Sequence, residues 1–149
     1  MTSAPIDGYL DLDRATYEAI IAHAQSDPHF EVCGMLAIDR GQVVRHYQIP
    51  NAERSATFFR MDSTAMKRPW MEIEDNDWGM VIYHSHTHTE AYPSPTDIKE
   101  AAHTPGAVYL IVSLQDADAP VIRGFDIIDG KVTERILYVD GEEAPAGRR

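Results

Sequence analysis

The chain has 149 residues, 44% of them hydrophobic, which is enough for one compact domain with its own core. Its 24 acidic and 13 basic residues give a formal net charge of -11, and a surface this acidic repels phosphate backbones, which argues against nucleic acid as a partner. Cys33 is the only cysteine, so an internal disulfide is excluded.

The N-terminus lacks the basic and apolar blocks of a signal peptide, and no uninterrupted apolar run is long enough to span a bilayer. A single cysteine also fits a reducing compartment. We therefore expect a cytoplasmic protein without a membrane partner. We further expect one domain over residues 10–140, with a flexible N-terminus at 1–9 and a flexible C-terminal tail at 141–149.

The first half of the chain predicts a helix followed by two strands. Apolar residues recur at helical spacing over residues 13–25, with Asp13 as N-cap and Pro28 closing the helix. Residues 32–38 predict a short buried strand, and a turn then leads into a second strand at 42–49.

A further strand and a helix are predicted next. The apolar run at 58–61 indicates a third short strand. Asp62 or Ser63 can cap a helix that continues to about residue 74. Because Pro69 lies inside this helix, we expect a kink or a break there.

The second half begins with a strand that carries histidines at its end. Residues 78–83 are apolar and predict a strand that delivers His84 and His86 at its carboxyl end. Ser94 opens a helix of about two turns, with proline at the first helical position, and the helix ends at residues 104–106.

Three strands close the chain, at residues 107–114, 121–128 and 132–139, and Asp129-Gly130 predicts a tight hairpin between the last two. Helices alternate with strands early in the chain, whereas tight turns join the closing strands. This order predicts a mixed α/β domain and argues against a purely parallel sheet.

Two histidines and a carboxylate follow one another at a spacing that suggests a metal site. His84 and His86 are two apart, so in a strand they face the same side. Ser94 follows eight residues after His86, and Asp97 three residues further on. Two imidazoles and a carboxylate are zinc ligands, and three protein ligands leave a fourth position for water, which suggests a hydrolytic site.

Other interpretations of these residues stay open. The histidines could lie on a polar edge facing solvent. Ser94 and Asp97 together form a capping-box pattern that needs no metal. His88 could replace Asp97 as the third ligand, because three histidines also make a catalytic zinc site. We favour Asp97, since His88 lies where the chain turns into a loop near the mouth of the site.

Hydrolysis also needs a group that carries the proton of the attacking water. Glu31 is the candidate, because a carboxylate at the start of an apolar strand requires an edge or a function to explain it. The alternative is a strand-end residue in water. Cys33, as a nucleophile paired with His84, is a rival candidate, although a buried cysteine is usually a small apolar residue.

These residues together resemble the JAMM motif of the JAB1/MPN-type metalloproteases, with the same His-x-His-x7-Ser-x-x-Asp spacing and a distant upstream Glu before a Cys-Gly-containing strand. The resemblance covers roughly residues 10–140. It implies a mixed, cytidine-deaminase-like α/β fold with a central mixed sheet flanked by helices. The residues that carry it are Glu31, His84-Ser85-His86, Ser94 and Asp97.

The run from the histidines to Asp97 is similar in more detail to the small bacterial Mec-type peptidases of cysteine biosynthesis. Those enzymes remove a cysteine from the C-terminal Gly-Gly of a ubiquitin-like sulfur carrier protein. Thr87 stands where many family members, especially the deubiquitinases, carry proline, which argues against ubiquitin itself as the substrate.

The resemblance implies a role for each motif residue. His84, His86 and Asp97 would hold Zn²⁺ with a water as fourth ligand. Glu31 would accept the proton of that water and pass it to the leaving amine. Ser94 would hydrogen-bond the oxyanion, a role that competes with its role as helix cap for one hydroxyl.

The resulting prediction is a zinc-dependent peptidase that cleaves after the Gly-Gly tail of a ubiquitin-like sulfur carrier and releases cysteine. An extended tail could pair with the strand edge near residues 58–61. The alternatives are a general isopeptidase of ubiquitin-like modifiers, a non-catalytic MPN scaffold and a Cys33–His84 thiol hydrolase. The prediction leaves open whether the protein is a homodimer.

Overall fold

The computed structural model describes residues 8–145, which form eight strands, three α-helices and one 3-10 turn. The strands are Tyr9–Leu12 (β1), Cys33–Asp39 (β2), Gln42–Ile49 (β3), Gly79–His86 (β4), Val108–Ser113 (β5), Val121–Ile128 (β6), Lys131–Val139 (β7) and Glu142–Glu143 (β8). The helices are Arg14–Ser26 (α1), Ser63–Asp75 (α2) and Pro95–Glu100 (α3), and the 3-10 turn Ala101–His103 follows α3 directly.

All eight strands belong to one sheet, in the order β1-β7-β6-β5-β4-β2-β3, with β8 paired to β7. The pairs β1–β7 and β4–β5 are parallel, and the other neighbours are antiparallel. The predicted mixed α/β class with a central mixed sheet is therefore confirmed. β4 lies in the interior of the sheet, between β2 and β5.

Helices cover the two faces of the sheet. On one face, Tyr17, Ile20 and Ala24 of α1 pack into a cluster that includes Leu36 and Leu110. The opposite face forms a second cluster with side chains of α2 and α3, among them Ile73 and Ile98. Burying one such aliphatic side chain stabilises the fold by roughly 1.5–3 kcal/mol. The candidate site lies on the second face.

Local sequence signals agree with the structure at several element ends. The Asp13 side chain accepts a hydrogen bond from the Thr16 N–H, which is the predicted cap of α1. The Asp62 side chain accepts from the Ala65 N–H at the start of α2. Asp129 has a φ of 52° and Gly130 a φ of 78°, so the predicted two-residue hairpin turn is confirmed.

Of the kink or break predicted at Pro69, the break is wrong, because α2 continues through this residue. Proline lacks the N–H that would bond to the Ala65 carbonyl, which weakens the helix at that point. Pro69 and Ile73 are both buried. Their packing against the second face of the sheet offsets the missing hydrogen bond.

The predicted strand at residues 58–61 is also wrong. A single antiparallel bridge joins Met61 to Asn51, and no strand forms there. The Asn51 side chain explains this difference, since its amide donates to the Phe58 carbonyl and its oxygen accepts from the Arg60 N–H. These side-chain bonds replace the ladder of backbone bonds that a neighbouring strand would supply.

The two ends of the described chain contain strands that the sequence pattern did not predict. Tyr9, placed in the expected flexible N-terminus, begins β1, and Glu142–Glu143 of the expected flexible tail forms β8. Within these two segments, residues 1–7 and 146–149 lie outside the described residues. Across 8–145, the structure contains no helix of the length and apolar character that crossing a membrane requires.

Candidate active site

Two histidines lie side by side at the carboxyl end of β4. His84 and His86 point to the same face of the sheet and are only 2% and 4% exposed. Their Nε2 atoms are 3.1 Å apart. Because β2 and β5 flank β4 on both sides, the backbone that carries these imidazoles is held in the interior of the sheet.

Asp97 brings a carboxylate to the two imidazoles from the first turn of α3. Its Oδ2 atom lies 3.1 Å from the His84 Nε2 and 3.0 Å from the His86 Nε2. The same oxygen accepts the Ser94 N–H at 2.9 Å, and the Asp97 N–H donates to the Ser94 Oγ at 3.0 Å. The predicted capping box is therefore present, and it also orients the carboxylate toward the histidines.

The three side chains fit a metal ion. Their donor atoms all lie within 4.8 Å of one another. Zinc–ligand bonds of about 2.0–2.1 Å at the tetrahedral angle place neighbouring ligand atoms about 3.3 Å apart, close to the separations of 3.0 and 3.1 Å found here.

Hydrogen bonding prepares His86 for metal binding. Its Nδ1 lies 2.8 Å from the Glu90 carbonyl, which can only accept, so the ring proton is on Nδ1. In the metal-free site a second proton on Nε2 bonds Asp97, and loss of that proton leaves the Nε2 lone pair for a metal, the arrangement usual for metal-binding histidines.

The protonation of the site is governed by burial and by the Asp97 charge. Burial raises the pKa of Asp97, but hydrogen bonds from His84 and His86 outweigh it and hold the pKa well below its usual value. Burial lowers the pKa of His84. For His86, burial lowers the pKa and the bond to Asp97 raises it, with a net increase. The ionised carboxylate thus attracts positive charge to the point where the three side chains meet.

Glu31 is a buried carboxyl close to these groups. It is 5% exposed, and its Oε1 has no hydrogen-bond partner among the described residues. Burial raises its pKa to about 8, while the charges of His86 and Asp97 lower and raise it respectively. The interpretation of Glu31 as a strand-end residue in water is wrong, since the residue is buried. A carboxyl with such a pKa can take and release a proton near neutral pH.

Ser85 joins the segment of Glu31 to the strand of the histidines. Its Oγ accepts the Val32 N–H at 2.9 Å, and its own N–H donates to the Val32 carbonyl at 3.0 Å. Sequence reasoning assigned no role to Ser85. A hydroxyl between two histidines at the end of an apolar run was the signal that could have indicated one.

The two roles expected for Ser94 do not exclude each other. As the cap of α3, the Ser94 Oγ accepts the Asp97 N–H through a lone pair. A hydroxyl has one proton and two lone pairs, so the Ser94 proton is still available for a second partner.

Two rival candidates are placed unfavourably for chemistry. Cys33 is paired with His84 across β2 and β4, but it is fully buried and its thiol donates to the Ile49 carbonyl. Burial, with the nearby Glu31 charge, raises the pKa of Cys33 to about 12, so the thiol stays protonated. His88 is exposed and does not belong to the group of three donors.

A cavity of about 410 Å³ opens beside the candidate ligands. His84 and Asp97 lie at one end of it, and the Phe59 ring stacks on the His84 ring with centroids 4.3 Å apart. The rest of its wall is mostly apolar and includes Met61, Met66, Ile82, Tyr109 and Ile111. Phe59 was predicted only as part of a strand, because no local pattern indicates its contact with His84.

Comparison with known proteins agrees with this geometry. The chain is 48% identical over 124 residues to the CysO-cysteine peptidase of Mycobacterium tuberculosis, covering 81% of this chain and 84% of that protein. It is 34% identical over 112 residues to the desampylase of Haloferax volcanii, covering 70% and 80%. AF2198, a JAB1/MPN domain protein from Archaeoglobus fulgidus, superimposes with a TM-score of 0.57 at 15% identity, covering 87% and 99%.

The profile of the prokaryotic homologs of the JAB domain, Prok-JAB, matches residues 13–127, which include Glu31, Ser94 and all three candidate ligands. The predicted resemblance and the predicted class of hydrolase are therefore confirmed. With this match and a relative at 48% identity, the chain belongs to the Prok-JAB family of JAB-domain proteins.

Proposed function

We propose that this protein is a zinc-dependent peptidase that hydrolyses the amide bond after the C-terminal Gly-Gly of a ubiquitin-like sulfur carrier protein and releases cysteine. The observation that carries the proposal is the convergence of His84, His86 and Asp97 beside the buried carboxyl of Glu31. The 48% identity to a CysO-cysteine peptidase supports the choice of substrate.

The ligands in this proposal are the Nε2 atoms of His84 and His86 and the Oδ2 atom of Asp97. When bound there, Zn²⁺ would supply Lewis acidity that lowers the pKa of water to about 7. The Glu90 carbonyl fixes the ring of His86, and the Ser94 N–H fixes the carboxylate of Asp97. Such outer hydrogen bonds typically change metal affinity or activity by about 10- to 100-fold.

Glu31 moves the proton in this proposal. Its raised pKa suits a carboxylate that accepts a proton from the attacking water and then donates it to the leaving amine. Ser94 donates its remaining hydroxyl proton to the oxyanion that forms on the scissile carbonyl. Removing one such donor in other enzymes lowers turnover by about 100- to 1000-fold.

The carrier tail would lie along Phe59. Among the described residues, none hydrogen-bonds the Phe59 backbone N–H or carbonyl, whereas Asn51 and Ala52 engage the Phe58 carbonyl and both backbone groups of Arg60. An extended peptide can pair with such free backbone groups. Because the Phe59 ring stacks on His84, the paired tail would end at the metal ligands. Glycines suit this approach, since they carry no side chain.

A general isopeptidase is the second candidate, and the 34% identity to a desampylase favours it. The two functions differ in the leaving group, which is a free amino acid in one case and a lysine side chain in the other. A scaffold without catalysis is less favoured, because all three donors and Glu31 are retained. A homodimer and a cytoplasmic location stay predictions.

The decisive experiment incubates carrier–cysteine and carrier–lysine conjugates with the protein and follows the carrier by mass spectrometry. We expect loss of one C-terminal cysteine, with metal content near one zinc per chain and no loss with Glu31→Gln. The exposed Glu18 on α1 provides the matched control Glu18→Gln. An inert metal-loaded protein, or preferential cleavage of the lysine conjugate, would refute the proposed function.

A carrier variant tests the path of the tail. Changing the penultimate glycine of the carrier to valine should lower the cleavage rate, because a branched side chain must fit between Phe59 and the cavity wall. An unchanged rate would contradict a narrow path beside Phe59.

A further inference from the structure

Three hydrogen bonds connect the loop over residues 51–57 to Glu31 and to Thr87, the residue after His86. The Glu31 N–H donates to the Ser55 carbonyl at 2.8 Å, and the Asn51 side chain donates to the Glu31 carbonyl at 3.0 Å. The Thr87 hydroxyl donates to the Ala56 carbonyl at 2.8 Å. Thr87 directly follows His86, so the loop over residues 51–57 contacts both the proton carrier and the ligand strand.

Arg54 lies within this loop and contacts Phe30, the residue that precedes Glu31. Its guanidinium carbon is 4.7 Å from the centre of the Phe30 ring, and Phe30 directly precedes Glu31. Its backbone has a φ of 43°, a left-handed conformation that non-glycine residues seldom adopt. The cation–π contact therefore positions the guanidinium over the segment that presents Glu31.

The charge of Arg54 is not neutralised by an ion pair with any of the described residues. The neighbouring Glu53 is paired with Arg60, and within residues 8–145 no carboxylate forms an ion pair with Arg54. In a chain with a net charge of -11, a guanidinium without an ion pair next to the segment of Glu31 is a specific local attraction for an anion.

The proposed substrate supplies such an anion. An amino acid attached through its amine to the carrier has a free α-carboxylate one carbon away from the scissile nitrogen. That nitrogen must approach Glu31 to receive its proton, which brings the carboxylate toward the segment that carries Glu31. A cation in the adjoining loop would attract this carboxylate.

Resting on the proposed function, we propose that Arg54 binds the α-carboxylate of the leaving amino acid. The planar guanidinium can hold a carboxylate with two parallel hydrogen bonds. A lysine conjugate within a folded protein has no carboxylate at this position. Arg54 therefore selects C-terminal amino-acid adducts over lysine conjugates.

The test compares two substrates that differ at one group: the carrier ending in Gly-Gly-cysteine and the same carrier ending in Gly-Gly-cysteinamide. We expect the wild type to cleave the free acid with a kcat/KM about tenfold higher, as a charge-assisted hydrogen bond at a partly exposed site allows. Arg54→Gln should lose this advantage and cleave the amide at the wild-type rate, whereas Arg54→Lys should keep part of it.

Arg40 provides a matched control. It is also an exposed arginine with a positive φ, of 53°, but it lies in the turn between β2 and β3, at the far end of β2 from Glu31. Arg40→Gln should cleave both substrates as the wild type does. Thermal unfolding of each variant checks that the loop change has not unfolded the protein.

The outcomes separate this inference from the proposed function. Equal losses on acid and amide with Arg54→Gln would show that Arg54 only shapes the loop, and an unchanged preference would show that it does not contact the carboxylate. Either result overturns the inference alone. If the metal-loaded wild type cleaves neither substrate, the proposed function fails, and the inference falls with it.

Discussion

Replacing Glu31 by glutamine should stabilise the metal-free protein while it abolishes activity. Glu31 is 5% exposed and its Oε1 has no hydrogen-bond partner among the described residues, so folding removes a carboxylate from water without compensation. Burial accordingly raises the pKa of Glu31 from 4.5 to about 8. Glutamine has nearly the same shape and carries no charge.

The sign of the effect follows from proton binding in the two states. Between its unfolded and folded pKa values, Glu31 is ionised in the unfolded chain and protonated in the folded one. The unfolded state therefore binds fewer protons, and the free energy of unfolding falls as the pH rises through this range. Glutamine does not titrate in this range. The free energy of unfolding of Glu31→Gln should therefore exceed that of the wild type by an amount that grows with pH.

The size of the effect can be worked out from these pKa values. A shift from 4.5 to about 8 lowers stability by about 1 kcal/mol at about pH 5 and by about 4 kcal/mol at about pH 7.5. Between these two pH values, the stability of the variant relative to the wild type should therefore increase by at most about 3 kcal/mol. For a chain of this length, that corresponds to roughly 6–12 °C in Tm.

The assay is thermal or urea unfolding of both proteins in chelator, at the two pH values, with Glu18→Gln as control for an exposed carboxylate. Bound metal should reduce the effect, because a nearby cation offsets the cost of the carboxylate charge. An advantage of Glu31→Gln that does not change with pH would refute the reasoning, as would a variant less stable than wild type at both pH values.

Three further predictions concern the ligands, the cap and the core. Asp97→Asn should lower bound zinc well below one per chain, which metal analysis after dialysis measures; full zinc content would contradict the ligand assignment. Ser94→Ala should lower stability by about 1 kcal/mol through the lost cap and turnover by about 100- to 1000-fold, so a stability loss with unchanged kcat would remove Ser94 from the chemistry. Gly34→Ala should destabilise by about 1–3 kcal/mol in urea unfolding, because the new Cβ would overlap the buried ring of Tyr83. Gly124→Ala, whose nearest neighbour is a flexible leucine methyl at 3.1 Å, should cost less, and equal losses would contradict the overlap.

The parts of the fold that the sequence predicted are those with a local cause. The cap of α1 needs only Asp13 and Thr16, and the β6–β7 turn needs only Asp129 and Gly130. The strand β1 was missed because its partner β7 lies at the other end of the chain. β1 has only four residues, which is too short for a clear alternation of apolar and polar side chains, and its partner strand is distant in sequence.

In the candidate site, too, features with a local cause were predicted and features that depend on distant segments were not. The spacing of His84, His86 and Asp97 can be read from the sequence, and the structure brings the three together. The burial of Glu31 cannot be read in this way, because it depends on segments that are distant in sequence. The Asn51 side chain, 20 residues away, bonds the Glu31 carbonyl and also holds the loop that was predicted to contain a strand.

The sequence allowed Ser94 and Asp97 to be either a capping box or part of a metal site. In the structure the same atoms fit both descriptions. The Asp97 oxygen that accepts the Ser94 N–H also faces both imidazoles. In an ordinary capping box this carboxylate would be satisfied by the backbone and by water. Here the cap fixes the carboxylate at 12% exposure before any ion is bound, so little side-chain freedom is lost when the metal binds. A helix start can thus be part of the metal site, and a capping pattern in sequence is no argument against a ligand role.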